Sequence, residues 1–157
     1  MMWKKTLKIA ALIAAFSIVA MQFFQIDRTL PPIDPAHTLE TAVGVPADIS
    51  LILGRSCNDC HSHKTRYPWY SYAQPFGWFL GTHISDGRNE LNFSEFGTYS
   101  RDKKRKKLEE ICDQVSSGSM PLPSYLWIHR NAALSASERT ALCDWASKEL
   151  KRFETDN

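Results

Sequence analysis

Five consecutive residues, Cys57-Asn58-Asp59-Cys60-His61, put two thiols and an imidazole into one short stretch. Three kinds of chemistry use cysteines this close together. A structural zinc ion takes four Cys or His ligands, commonly as two close pairs. The remaining cysteines, Cys112 and Cys143, are far apart and each stands alone, so that spacing is poor. A thioredoxin-like redox pair follows a strand in a βαβ setting. Here ISLILGRS precedes the pair, and an aromatic, proline-broken stretch follows it with no helix–strand alternation. The third chemistry, c-type haem attachment, requires this very spacing. Two thiols add to the two haem vinyl groups, one helical turn spans them, and the next residue sets its imidazole under the iron. The sequence therefore predicts one covalent haem c held by Cys57 and Cys60, with His61 as the proximal ligand.

The other side of the iron has three main candidates. Met120 is the only methionine beyond the N-terminal segment, in SSGSMPLPSYLW, where Pro121 and Pro123 stiffen the loop. It stands 59 residues after His61, enough chain to travel round a macrocycle and return. His83 and then His129 rank below it; His63 is too close to His61 to reach the opposite face. Met/His ligation raises the reduction potential relative to bis-His. A macrocycle also needs broad rings to exclude water. RYPWYSYAQPFGWFLGTHI offers many, and Tyr67, Trp69 and Trp78, with Tyr125 beyond Met120, are expected to wall the cofactor.

These residues need a frame, and the patterning predicts a helical one. Leu108, Ile111, Cys112 and Val115 form one apolar face of a helix from Arg101 to about Ser117, ended by Gly118. Its basic front half, RDKKRKK, reads as a solvated face or as a patch for an acidic redox partner. A second helix fills LSASERTALCDWASKELKRF, opened by a capping box of Ser135 and Glu138. Cys112 and Cys143 lie on or beside core-facing stripes; a disulfide and two buried thiols both fit that placement. Shorter helices are expected through Pro75–His83 and from near Cys57. No β alternation, repeat or phosphate loop is visible.

The N-terminus has the order of a targeting segment: Lys4, Lys5 and Lys8, then an apolar run from Ile9 to Ile26 with few interruptions. As a helix that run measures roughly 27 Å, close to the ~30 Å hydrocarbon thickness. The expectation is a single uncleaved span in a bacterial inner membrane, lysines inside, with the domain facing the periplasm; a cleaved signal would release the domain there instead. Residues 27–45, with Pro31, Pro32 and Pro35, read as a stalk, and residues 46–152 as the domain. The 157-residue length suits one domain. Residues 27–157 carry 16 basic against 17 acidic side chains, so nucleic acid is not the expected partner.

Three blocks carry a family resemblance: SCNDCHSHKTRYPWYSYAQPFGWFL, HISDGRNELNFSEF and GSMPLPSYLWIHRNAALSASERTALCDWA. Together, from about Pro46 to Leu150, they resemble the Haem_bd family of small bacterial haem-binding domains, cytochrome c-like in style. The resemblance implies covalent haem at Cys57 and Cys60, His61 proximal, and Met120-Pro121 on the distal side. It also implies redox partners of cytochrome or peroxidase type. Cys112 and Cys143 lie outside that pattern. The function expected is a membrane-anchored, periplasmic monohaem cytochrome that carries single electrons. The alternatives are a haem-based sensor or small-ligand binder and, more weakly, a peroxidase-like enzyme; no acid/base pair of the kind peroxide chemistry needs is visible.

Overall fold

The structure, a computed structural model, describes residues 2–155. Its regular elements are all helical among those residues: α1 Met2–Met21, α2 Leu39–Val43, α3 Ala47–Ser56, α4 Asn58–His61, α5 Phe76–Glu90, α6 Arg101–Ser116, α7 Pro123–Leu126 and α8 Ala136–Thr155. Short 3-10 turns lie at Pro35–His37, Trp69–Tyr72, Phe96–Thr98 and Arg130–Ala132.

The largest internal interface joins α6 to α8. Leu108, Ile111 and Val115 of α6 bury against Leu142, Trp145 and Ala146 of α8, and Ile49, Ile52 and Leu53 of α3 join the same core. Each such aliphatic burial is worth about 1.5–3 kcal/mol. A disulfide between Cys112 and Cys143 ties the two helices covalently. The ends of both helices follow from local chemistry. Ser100 Oγ accepts the Lys103 N–H at the start of α6. Beyond its last turn Gly118 takes φ +75°, a conformation that other residues rarely adopt. The Met120 N–H then returns to the Gln114 carbonyl at 3.1 Å. At the start of α8, Ser135 Oγ accepts the Glu138 N–H at 3.2 Å, and the Glu138 carboxylate accepts the Ser135 N–H at 2.8 Å. That N–H first, and Arg55 of α3 second, hold the Glu138 carboxyl down at about 2.

Residues 27–45 are not a stalk. The prolines keep the chain out of helix only as far as Asp34, whose side chain caps the turn at Ala36. Thr38 then caps α2, which buries Leu39 and Val43 in the core before Gly44 ends it at φ +63°. The Leu39 N–H donates to the Phe93 carbonyl at 2.7 Å. The domain therefore begins well before Pro46.

The N-terminal run is also shorter than expected. Helix α1 ends at Met21, so its lysine-free part is roughly 13 residues, about 20 Å long. Among the described residues no helix is long and apolar enough to cross a membrane. The remainder of the run, Gln22–Ile26, leaves the helix because the domain captures it. The Gln22 side chain donates to the Gln74 carbonyl at 3.0 Å and accepts the Gln74 N–H at 2.8 Å. The Trp78 indole N–H donates to the Phe24 carbonyl at 2.7 Å, and Ile26 lies against Gly81.

Candidate functional site

Cys57 sits between α3 and α4, and its carbonyl accepts the N–H groups of Cys60 at 3.2 Å and His61 at 3.0 Å. That single turn holds both thiols and the imidazole. Neither cysteine is bonded to another. Burial pushes the Cys57 thiol up to about 12, with Cys60 adding to the effect, and burial followed by Asp59 pushes Cys60 up to about 11. A redox CxxC lowers its thiol pKa instead. Among the described residues no group of three or more His, Cys, Asp or Glu side chains could hold a metal ion.

His61 is fixed from behind. Its Nδ1 lies 2.9 Å from the carbonyl of Gly87, in the last turn of α5, and 2.9 Å from that of Leu91, which caps the helix. Carbonyls only accept, so Nδ1 carries the hydrogen and Nε2 keeps its lone pair. Burial first, with Lys107 adding to it, lowers the imidazole pKa against the two hydrogen bonds that raise it, and so favours the neutral ring. A neutral imidazole oriented by a carbonyl at its far nitrogen is the usual form of a metal-binding histidine.

Two adjoining cavities, 360 and 240 Å³, meet at this ring, and Cys57, His61, Met120 and Pro121 border both. The larger is walled by Leu53, Leu91, Phe93, Ile111, Val115 and Leu142. Cys60, His83 and Tyr125 border the smaller. The cleft brings together what a haem requires: an imidazole with a free Nε2, two thiols at the right spacing, a thioether and apolar walls. The residues fit the group.

Other residues that the sequence suggested lie elsewhere. Trp69 is 78% exposed, and Trp78 serves the Phe24 carbonyl. Tyr67 borders a separate cavity with Asp27 and Arg88. The reason is helical phase: α5 buries Gly77, Leu80 and Ile84, which turns Phe76, Trp78 and Phe79 outward. His129 borders neither cavity of the cleft; its Nε2 is 2.8 Å from the Tyr70 hydroxyl, and its ring stacks on Tyr125 at 4.2 Å. His83 Nδ1 donates to the Phe79 carbonyl at 2.8 Å. His63 is buried, with Nδ1 on the Pro32 carbonyl and Nε2 beside the Asn92 amide.

Sequence reasoning missed Gly87 and Asp59. A Cβ on Gly87 would stand 2.8 Å from the Cys60 carbonyl oxygen, so only glycine lets α5 approach the motif this closely. Its one signal was a glycine inside a helix, in ISDGRNE. Asp59 accepts the Tyr125 hydroxyl at 2.9 Å and the Arg66 N–H at 3.0 Å, linking the motif to the chain that follows Met120. Gly87→Ala is expected to push α5 off α4, weaken the bond at His61 Nδ1 and cost about 1–3 kcal/mol. Urea unfolding of the purified variant measures it, and unchanged stability would contradict the close-approach argument.

The helical frame, the oriented imidazole and the apolar cleft together define a small helical haem protein. A comparison with protein families bears this out: the haem-binding domain family matches residues 16–148, and the chain belongs to it. No curated protein and no solved structure matches the chain.

Proposed function

We propose that this domain is a monohaem c-type cytochrome that carries single electrons. In this reading Cys57 and Cys60 would hold the haem through thioethers, and His61 through Nε2 and Met120 through its thioether would be the residues that bind the iron. The bound haem supplies a one-electron Fe(III)/Fe(II) couple. The chain's own residues do the rest. Gly87 and Leu91 orient the imidazole, the aliphatic walls keep water out, and the α6–α7 connection presents Met120. The observation that carries the reading is His61 Nδ1 shared by two carbonyls, which frees Nε2 at the edge of a cleft that Met120 also borders.

Export fits the same reading. Lys4, Lys5 and Lys8 lie in the first half of α1 ahead of its apolar stretch, the described side chains of the helix are exposed along nearly its whole length, and the Cys112–Cys143 disulfide suits an oxidising compartment. The proposed location is the periplasmic face of a bacterial inner membrane, and the proposed partners are other redox proteins. A sensor or small-ligand binder is the second reading, favoured by the placement of Met120 on a loop rather than a helix.

A pyridine haemochrome assay on protein matured with haem-attachment machinery tests the proposal. The expected spectrum is that of a haem with both vinyls saturated, at one haem per chain. Unmodified vinyls, or no haem, would overturn it. Rapid CO binding by the reduced wild type would favour the sensor.

A further inference from the structure

Lys107 departs from the character of its own stretch. In the basic start of α6, Lys103 and Lys106 face solvent, whereas Lys107 is only 8% exposed and borders the larger cavity together with His61. Its Nζ donates to Glu110 Oε2 at 2.6 Å and to Glu90 Oε2 at 3.3 Å. An ammonium has three donors, so these two contacts leave one for a group in the cavity that Lys107 borders. The two carboxylates are not equivalent. Glu110 is on the same helix and makes the short contact; the Glu90 side chain is 79% exposed, makes the longer one and borders both cavities. No other lysine or arginine among the described residues borders either cavity. The smaller cavity has Asp59, Asp86 and Glu90 on its wall, a poor surface for an anion.

A haem brings two propionate carboxylates on the part of its rim away from the vinyl groups. With the vinyls at Cys57 and Cys60, those carboxylates need a cation at the cleft, and α6 supplies it. We propose that Lys107 is the anchor for a haem propionate. On binding, one propionate oxygen takes the place of the Glu90 carboxylate, Glu110 keeps its short contact, and Glu90 turns out to solvent. The exchange conserves the local charge, one ammonium with two carboxylates before and after. It fixes which way the macrocycle lies in the cleft, and it sets a positive charge beside the haem edge. This assignment rests on the haem reading above.

The test uses the full chain matured with covalent haem, as wild type, Lys107→Met and Lys107→Arg. Resonance Raman spectra report the propionate bending mode, and redox titration reports the midpoint potential. Lys107→Met at full haem content is expected to shift the bending mode and to lower the midpoint, because loss of the cation favours the ferric state. Lys107→Arg is expected to restore both, which a purely structural lysine would not require. An unchanged mode and midpoint in Lys107→Met at full haem content overturns the assignment and leaves the haem reading standing. Wild type without covalent haem overturns both. Should Lys107→Met fail to mature, wild type carrying 13C-carboxyl haem decides the matter by infrared spectroscopy. A carboxylate band displaced from that of an exposed haem peptide supports the anchor, and a coincident band overturns it.

Discussion

Replacing Cys57 and Cys60 together by serine is expected to abolish covalent haem. A hydroxyl does not add to a vinyl group as a thiol does, so acid–acetone should extract all of the cofactor and a haem-stained denaturing gel should be blank. The geometry makes this the largest single effect available. Both thiols lie within one turn, held by the Cys57 carbonyl, and neither is bonded in a disulfide. The imidazole is untouched by the change, because Gly87 and Leu91 orient it through Nδ1 independently of the cysteines. Residual non-covalent haem bound at His61 is therefore expected, with an unmodified-vinyl haemochrome. Each single variant should keep one thioether and show an intermediate band. Haem surviving extraction in the double variant would refute the attachment.

Met120→Ala is expected to open the sixth position. The wild type should be low-spin with a weak near-infrared band from sulfur–iron ligation. The variant should lose that band, gain a high-spin fraction, lower its midpoint potential and bind CO in the reduced state at least roughly tenfold faster, on the principle that axial-ligand identity sets both access and potential. The backbone already presents the residue: Gly118 reverses the chain, and the Met120 N–H is anchored on the Gln114 carbonyl. A variant that stays low-spin with its band intact would exclude Met120. His83, on the wall of the smaller cavity with a free Nε2, would then be the side chain to replace.

The motif and its frame were legible in the sequence to different depths. That Cys57, Cys60 and His61 share one turn could be read because it is local: residues this close together need no knowledge of the rest of the chain. Helices α6 and α8 could be read from their apolar faces, and the Ser135–Glu138 capping box because its two partners are three residues apart. What stayed hidden depends on which way an element faces. Aromatic density around Trp69 and Trp78 suggested a pocket wall, but composition does not encode helical phase, and α5 buries its small and aliphatic residues instead. Lys107 read as one more charge in a solvated run, since the order of charges along α6 does not say which of them turns toward the cleft. The proline-rich segment hid α2, whose two buried side chains are too few to make a periodic signal. The apolar N-terminal run read as one continuous span, and its end is set by Gln74 and Trp78, more than fifty residues away.

The bond between Cys112 and Cys143 closes a ring of chain, and Met120, Tyr125 and His129 all lie on its circumference. By loop-closure entropy a ring of this length removes about 3–4 kcal/mol of freedom from the unfolded chain. The far wall of the cleft is thereby tethered to α6 and α8 before any cofactor arrives. If the cleft takes the covalent haem proposed above, that group would meet a wall whose freedom the disulfide already restricts. A chain kept reduced would offer the same two attachment thiols beneath a slack and poorly aimed thioether.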